Sequence, residues 1–317
     1  MKSSPGLPAI SVLLPVHNGA QFIREAIDSV IGQLHTDWEL IIGDNCSTDA
    51  TPAILAACVD PRIRVIRNER NLGVFGNLNR LVSRARAPIV RFLCHDDVLR
   101  AECLVTELDF IARHGECLIT VCCAGGIDPF GRPTGNWAPG IPGVISMRTA
   151  TLQFLYYGCW AGNISTVCVR KAEFERLGGF DEKLRRSADW QAWVRLVQSG
   201  PLGDIGRNLV WIRDTPGRLS RSGTSIAISE DLDIIDTLLS LVHPEDLAAA
   251  RKYVAHFHDR NFARYVLSLA AKNCWREAGC VLGRVGSRRF LAGLFWLLAS
   301  ADGRVFRPPI AERALRH

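Results

Sequence analysis

Pro88-Ile89-Val90-Arg91-Phe92-Leu93-Cys94-His95-Asp96-Asp97 runs from a short apolar segment into two adjacent carboxylates. The β-branched apolar run reads as a buried strand. In an open α/β sheet, ligands sit just beyond the carboxyl ends of the strands, so this stretch predicts acidic groups at a binding edge. Carboxylate oxygens suit Mg2+ or Mn2+, and Mg2+ usually takes one or two carboxylates together with substrate phosphates. The same pair would serve equally as capping acids for the helix that follows. The order of the surrounding elements decides between these readings.

Upstream, Ala9 to Val16 is a nearly continuous apolar run that reads as a buried parallel strand. Phe22, Ile23, Ala26, Ile27, Val30, Ile31 and Leu34 then fall on one helical face. Trp38 to Gly43 is a second strand, ending at Asp44-Asn45-Cys46-Ser47-Thr48-Asp49. Thr51-Pro52 predicts a helix start, with Thr51 as the N-cap and Pro52 at the first helical position. Ile63 to Ile66 is a short third strand, and Phe75, Leu78, Leu81 and Val82 mark the helix leading into Pro88. Such alternation argues for βαβ units and a parallel sheet covered on both faces. After the first strand stands His17-Asn18-Gly19-Ala20, so the dinucleotide fingerprint and the Gly-Lys-Ser/Thr phosphate loop are both missing.

Downstream, a helix from Glu102 to Arg113 and strands over Leu118–Cys123, Ile164–Val169 and Leu209–Ile212 are expected. Asp128 to Gly143, rich in Gly and Pro, reads as a loop over or beside the site. Ala150 to Tyr157 and a segment beginning near Ala188 read as helices, and Leu177 to Asp181 as a tight turn. From Ser229 onward the pattern is helical, which predicts a division into residues 1–225 and a helical extension over 226–317. Phe290 to Ala299, behind Arg288-Arg289, suits an interfacial membrane helix or a helix docked on protein.

The 317 residues are 48% hydrophobic and 22% charged, as expected of a packed globular chain. A net charge of +6 favours anionic partners. No basic run or binding motif points to nucleic acid. Eleven cysteines without a Cys-x-x-Cys pair suggest reduced thiols rather than zinc or a disulfide framework. Met1 to Pro8 lacks a signal-peptide pattern, and no apolar run reaches the roughly 20 residues of a spanning helix. A cytoplasmic protein, with or without peripheral contact at the inner face of the cell membrane, is expected.

Six motifs in order give the chain a family resemblance. Ile10 to Gly19, Trp38 to Asp49, Asn71-Leu72-Gly73, Phe92 to Asp97, Gly178-Gly179-Phe180-Asp181 and Asp189-Trp190 resemble the family 2 glycosyltransferases over roughly residues 8 to 220. The resemblance implies a GT-A fold: α/β, with a Rossmann-like, mostly parallel sheet flanked by helices. It implies an inverting enzyme that moves a sugar from a nucleoside-diphosphate sugar, UDP- or dTDP-linked, to a hydroxyl of a glycan or lipid-linked acceptor in surface polysaccharide biosynthesis. Asp96 would hold Mn2+ or Mg2+ on the diphosphate, and Asp189 would be the base. Pro15, His17, Asn18, Asp44, Asn71, Gly73, His95 and Asp96 would bind the donor, with Asp44 on the nucleobase. Trp160, Asn163 and Trp190 would face the acceptor. Arg67 and Arg70 would either add positive charge near the diphosphate or stand as solvated loop arginines.

The chemistry needs these residue types. Cleaving a sugar–phosphate bond leaves negative charge on the departing diphosphate, which a bound cation stabilises. A carboxylate at a helix start is expected to stay ionised and accept the acceptor's proton. Some positions depart from the family pattern: Cys94 replaces the first Asp of Asp-x-Asp, Asn45 an Asp, Cys46 a Gly, Ala188 an acid and Thr215 a His. These departures motivate the alternative of a non-catalytic sugar-nucleotide-binding or scaffold protein. A nucleotidyltransferase is disfavoured, because no Gly-rich basic loop follows Val16.

Overall fold

A computed structural model describes residues 6–137, 142–215 and 225–299. The first half alternates as the apolar runs require: β1 (Ile10–Val16), α1 (Ile23–Ile31), β2 (Trp38–Asp44), α2 (Thr51–Ala56), β3 (Ile63–Arg67), α3 (Gly73–Arg84) and β4 (Ile89–Phe92). Then come β5 (Val98–Leu99), α4 (Cys103–Arg113), β6 (Ile119–Ile127), β7 (Pro133–Trp137), β8 (Gly143–Ile145), α5 (Met147–Tyr157), β9 (Val167–Arg170), α6 (Lys171–Arg176), α7 (Ala188–Val197) and β10 (Leu202–Arg213). The remaining described residues are mainly helical: α8 (Ser225–Leu241), α9 (Pro244–Tyr253), α10 (Arg260–Ala271), α11 (Trp275–Val285) and α12 (Ser287–Ala299).

All strands join one sheet of order β3-β2-β1-β4-β9-β6-β10-β5, with β7 on β6 and β8 on β10. The β3-β2-β1-β4 half is parallel, as the alternation predicts. Beyond β4 the sheet is mixed: β9 runs antiparallel to both β4 and β6, while β10 is parallel to β6. The change of direction follows from the loss of strict β–α alternation after Asp97. Every residue of β1, β2, β4 and β6 is buried, which accounts for their mainly apolar character; Ser11, Glu39, Asp44, Arg91 and Thr120 are the buried polar exceptions.

Three local expectations are corrected. Thr51 is already helical, and its hydroxyl accepts from the Gly19 N–H at 2.9 Å instead of capping α2. The Asp128–Gly143 segment is not all loop: Pro133–Trp137 pairs antiparallel with β6, a pairing hidden by the Gly and Pro content (residues 138–141 lie outside the described residues). The last strand begins at Leu202 rather than Leu209, because Gly203, Asp204, Gly206 and Asn208 interrupt its apolar pattern where bulges shift the register.

The described chain forms two compact units. The first comprises residues 1–147, 161–183 and 191–216 and contains the sheet. It carries an aromatic cluster in which Phe92, Phe174, Phe180 and Trp193 meet edge-on or tilted at 4.9–6.2 Å. The second combines residues 217–317 with 148–160 and 184–190. In it, α12 packs against α10, and Ile234, Ile235 and Leu238 bury one face of α8. No helix among the described residues is long and apolar enough to cross a membrane.

Candidate functional site

Strand order reverses at β1, which has β2 on one side and β4 on the other. A crevice opens at such a switch point beyond the carboxyl ends of the strands. The loops that follow β1 and β4 are in contact there: a Cβ at Gly19 would lie 2.5 Å from His95 Cδ2, so only glycine admits the imidazole. Burial lowers the His95 pKa and His17 adds to the effect, against the opposing pull of Asp96 and Asp49. His95 is therefore held toward the neutral imidazole.

The β1 loop is stapled to the β2 loop. His17 Nδ1 lies 3.0 Å from the Asn45 carbonyl, and the Asn18 N–H donates to Ser47 Oγ at 2.9 Å. Asn18 adopts φ +52°, which asparagine tolerates, and its Oδ1 accepts from the Thr48 N–H at 2.8 Å. Pro15 sits opposite Gly43 in the parallel register. At the end of β2, buried Asp44 accepts from the Ser47 N–H at 2.9 Å and lies 3.7 Å from Arg67 Nε. Arg67 thus keeps company with Asp44, and Arg70 is exposed.

Asn45 is the hub of the next loop. Its Oδ1 accepts from Asn68 Nδ2 and the Leu72 N–H, and its Nδ2 donates to Asn71 Oδ1 and the Gly73 carbonyl. An aspartate could not make the last two bonds, so the change of residue is matched by its surroundings. Asn71 also accepts from the Gly73 N–H at 2.8 Å, bracing the Asn-x-Gly turn.

The two acids after β4 divide sharply. Asp97 is buried, accepting from Ser165 Oγ at 2.6 Å, Asn163 Nδ2 at 3.1 Å and the Arg213 N–H at 3.0 Å. Asp96 is half-buried, and Thr215 Oγ1 donates to its Oδ2 at 3.3 Å. Its main-chain carbonyl accepts from Arg213 Nε at 3.0 Å. Arg213, itself buried, also donates to the carbonyls of Asp128 and Pro129 and to Glu25 of α1. Cys94 points its thiol at Asn163 Oδ1, 3.4 Å away. Asn163 therefore braces this loop. Ser165 and Arg213 were not singled out from sequence, because nothing local marks a serine and a strand-end arginine as supports for a distant carboxylate pair.

Atoms of Cys94, Asp96 and Asp97 lie within 4.8 Å of one another, the one such group among the described residues. Asp97 already accepts three hydrogen bonds, leaving Asp96 as the carboxylate better suited to a cation. One carboxylate at an open strand end fits the habit of Mg2+ or Mn2+ in taking few protein oxygens beside phosphates. The donor set therefore fits a divalent ion.

Gly178 and Gly179 adopt φ +90° and +63°, which makes the turn before Phe180-Asp181 possible. Asn79 latches it, accepting from the Phe180 N–H at 2.9 Å and donating to its carbonyl at 2.8 Å. Asp181 accepts from the Lys183 N–H, as a turn residue does. In the second unit, Asp189 opens α7 and accepts from the Trp190 N–H at 2.8 Å. Burial raises its carboxyl from 3.8 to about 6, Asp231 pushing the same way and Arg186 opposing. The helix start alone does not keep it at an ordinary carboxylate value, contrary to expectation. Trp160 packs on Phe154 with ring centroids 5.5 Å apart, and Trp190 is buried; neither indole N–H has a partner among the described residues.

Residues 11–168 match the family model described as Glycosyl transferase family 2. A Bacillus subtilis (strain 168) protein named as a teichuronic acid biosynthesis glycosyltransferase is 38% identical over 106 residues, 33% of this chain and 42% of that protein. A Rhizobium meliloti (strain 1021) succinoglycan biosynthesis protein is 37% identical over 96 residues, 30% of this chain and 28% of its own length. The chain thus spans less than two thirds of either relative. S. aureus TarS 1–349 in complex with UDP-GlcNAc shares the fold with a TM-score of 0.70 at 18% identity, over 94% of this chain and 93% of that one. A Pyrobaculum calidifontis mannosyltransferase in complex with GDP-Man and Mn2+ gives 0.55 at 16%, over 98% and 80%.

The fold is that of the GT-A glycosyltransferases. Through its N-terminal half, the chain belongs to glycosyl transferase family 2.

Proposed function

We propose that the protein transfers a sugar from a nucleoside-diphosphate sugar, UDP- or dTDP-linked, to a hydroxyl of a glycan or lipid-linked acceptor, with inversion, in surface polysaccharide biosynthesis. One observation carries the reading: at the switch-point edge Asp97 is consumed by Ser165, Asn163 and Arg213, which leaves Asp96 presented as a lone carboxylate. The TarS complex with UDP-GlcNAc and the mannosyltransferase complex with GDP-Man and Mn2+ support a nucleotide-sugar donor and a divalent ion. The names of the two relatives support a polysaccharide product.

In this reading Pro15, His17, Asn18 and Asp44 line the nucleoside pocket, with Asp44 accepting from the imide N–H of the base. Asn71 and Gly73 border that pocket, and His95 stays neutral beside the diphosphate. Asp96 would hold the ion. When bound, Mn2+ or Mg2+ supplies Lewis-acid stabilisation of the diphosphate charge. Asp189 takes the acceptor hydroxyl's proton as that oxygen bonds to the sugar's anomeric carbon. The anomeric carbon–phosphate oxygen bond breaks in the same displacement, and its electron pair leaves with the diphosphate. A base near pKa 6 is ionised at neutral pH yet more basic than an ordinary carboxylate, which suits proton abstraction. Trp160, Asn163 and Trp190 would shape the acceptor side, and the protein would work on the cytoplasmic face of the membrane.

A thermal-shift screen of UDP-, dTDP- and GDP-sugars with and without Mn2+ tests the donor assignment. Stabilisation by one nucleotide class, dependent on Mn2+ and lost in Asp96→Ala, is expected. The absence of any shift would refute it.

A further inference from the structure

Glu230 and Asp231 stand side by side in the second turn of α8, a helix anchored by its buried apolar face. Glu230 is 6% exposed, unusual for a carboxylate that has no cationic partner among the described residues. Its oxygens accept three successive main-chain N–H groups: Arg185 at 2.8 Å, Arg186 at 3.0 Å and Ser187 at 3.1 Å. Asp231 completes the grip, accepting from Ser187 Oγ at 2.5 Å and pairing with Arg186 at 3.0 Å. The segment so held ends one residue before α7 and two before Asp189. Ser187 is itself buried, so its backbone has no water to fall back on.

We propose that Glu230 and Asp231 are positioning residues for Asp189, the base assigned above: a two-carboxylate clamp fixes residues 185–187 and thereby the place and charge environment of the reacting carboxylate. The inference rests on the assignment of Asp189 as base. Two features separate this clamp from ordinary helix packing. Three consecutive N–H groups donating to one side chain fix the backbone direction rather than a single contact. The charged and titratable groups around Asp189, namely Arg186, Asp231 and Cys159, are then set by the same clamp: Asp231 raises the Asp189 carboxyl, and Arg186, tied to Asp231, lowers it. A displacement of about 1 Å at a reacting group costs on the order of 100-fold in rate, so a clamp of this kind acts on turnover rather than on donor binding.

The test compares full-length wild type, Glu230→Gln, Asp231→Asn and Asp189→Asn for transfer across pH 5–8 and for Mn2+–nucleotide binding. Glu230→Gln keeps the size but places an amide NH2 among N–H donors. Its kcat is expected to fall about 10- to 100-fold, with donor KM and nucleotide affinity within twofold. Asp231→Asn removes the like charge, and the acid limb of kcat, expected near pH 6 in wild type from the raised Asp189 carboxyl, should move to lower pH, a shift that a merely structural role would not produce. If Asp189→Asn is inactive while Glu230→Gln turns over normally or the Asp231→Asn limb stays in place, the clamp is refuted and the base assignment stands. If Asp189→Asn retains wild-type turnover, the base assignment itself fails and the clamp with it. Should Glu230→Gln not fold, the Asp231→Asn pH profile decides alone.

Discussion

The side-by-side carboxylates Asp96 and Asp97 do different work, and their substitution separates the two roles. Asp97→Ala strands the Ser165 hydroxyl, the Asn163 amide and the Arg213 N–H in a buried site. About 2–3 kcal/mol of stability should be lost in urea unfolding. Asp96→Ala, at a half-exposed position, should unfold near the wild-type midpoint and instead lose its Mn2+-dependent nucleotide affinity. Cys46 offers a second residue-scale check. It occupies a left-handed conformation, φ +65°, where the family pattern has glycine. That conformation costs a side-chain residue about 1–2 kcal/mol, and glycine returns part of the gain as unfolded-state entropy. Cys46→Gly should therefore raise stability by about 0.5–1 kcal/mol. The departure from the motif was visible in the sequence, but the strained backbone beneath it was not. Likewise the importance of Asp97 was legible and its three partners were not, since they come from segments roughly 70 and 116 residues away.

Among the elements, the parallel half of the sheet was legible because buried strands read as mainly apolar, β-branched runs. β7 and the first half of β10 were not, because glycine, asparagine and a bulge erase the period that marks a strand. β4 hides another feature inside its apolar run. Arg91 is fully buried and pairs with Glu107 of α4 at 3.0 Å, while Cys168 donates to the same carboxylate at 3.1 Å. No sequence pattern joins an arginine in a strand to a glutamate on the next long helix. Removing one partner of a buried pair leaves the other charge uncompensated, so Glu107→Ala should cost about 3–5 kcal/mol in denaturant unfolding. At the start of α7, the raised carboxyl of Asp189 has a defined sign. A carboxyl lifted from 3.8 to about 6 on folding contributes stability that is present below pH 4 and lost as pH rises through 6. Turnover should run the other way, rising across the same interval as the base ionises. Asp189→Asn should abolish the activity limb and flatten that part of the stability profile.

Taken as a whole molecule, the chain's charge is concentrated at one end of the sequence. Residues 260–299 hold seven arginines and lysines against the single acid Glu277, while the net charge of all 317 residues is +6. On α12 the exposed face reads Arg288, Leu291, Phe295, spaced as one helical stripe. The expected interfacial helix is thus seated by its other face on α10 and still presents a basic and apolar stripe outward. If this stripe meets an anionic membrane carrying a lipid-linked acceptor, binding to phosphatidylglycerol vesicles should weaken steeply with salt and in Leu291→Ser/Phe295→Ser. Binding equal to wild type in that double variant would assign the stripe to protein contact. The helical character of this region was plain in the sequence, whereas the recruitment of residues 148–160 and 184–190 into the second unit rests on tertiary packing that periodicity does not encode. The central claim, metal-supported sugar transfer with Asp189 as base, is tested most directly by nucleotide release and sugar incorporation from the donor identified by thermal shift. The assay uses Mn2+ and a panel of glycan and lipid-linked acceptors, with wild type beside Asp189→Asn. Stoichiometric transfer by wild type and its loss in Asp189→Asn, with donor affinity retained, is the predicted result. A wild-type protein that binds the donor and neither transfers nor hydrolyses it with any acceptor would contradict the account and leave a sugar-nucleotide-binding protein of the same fold.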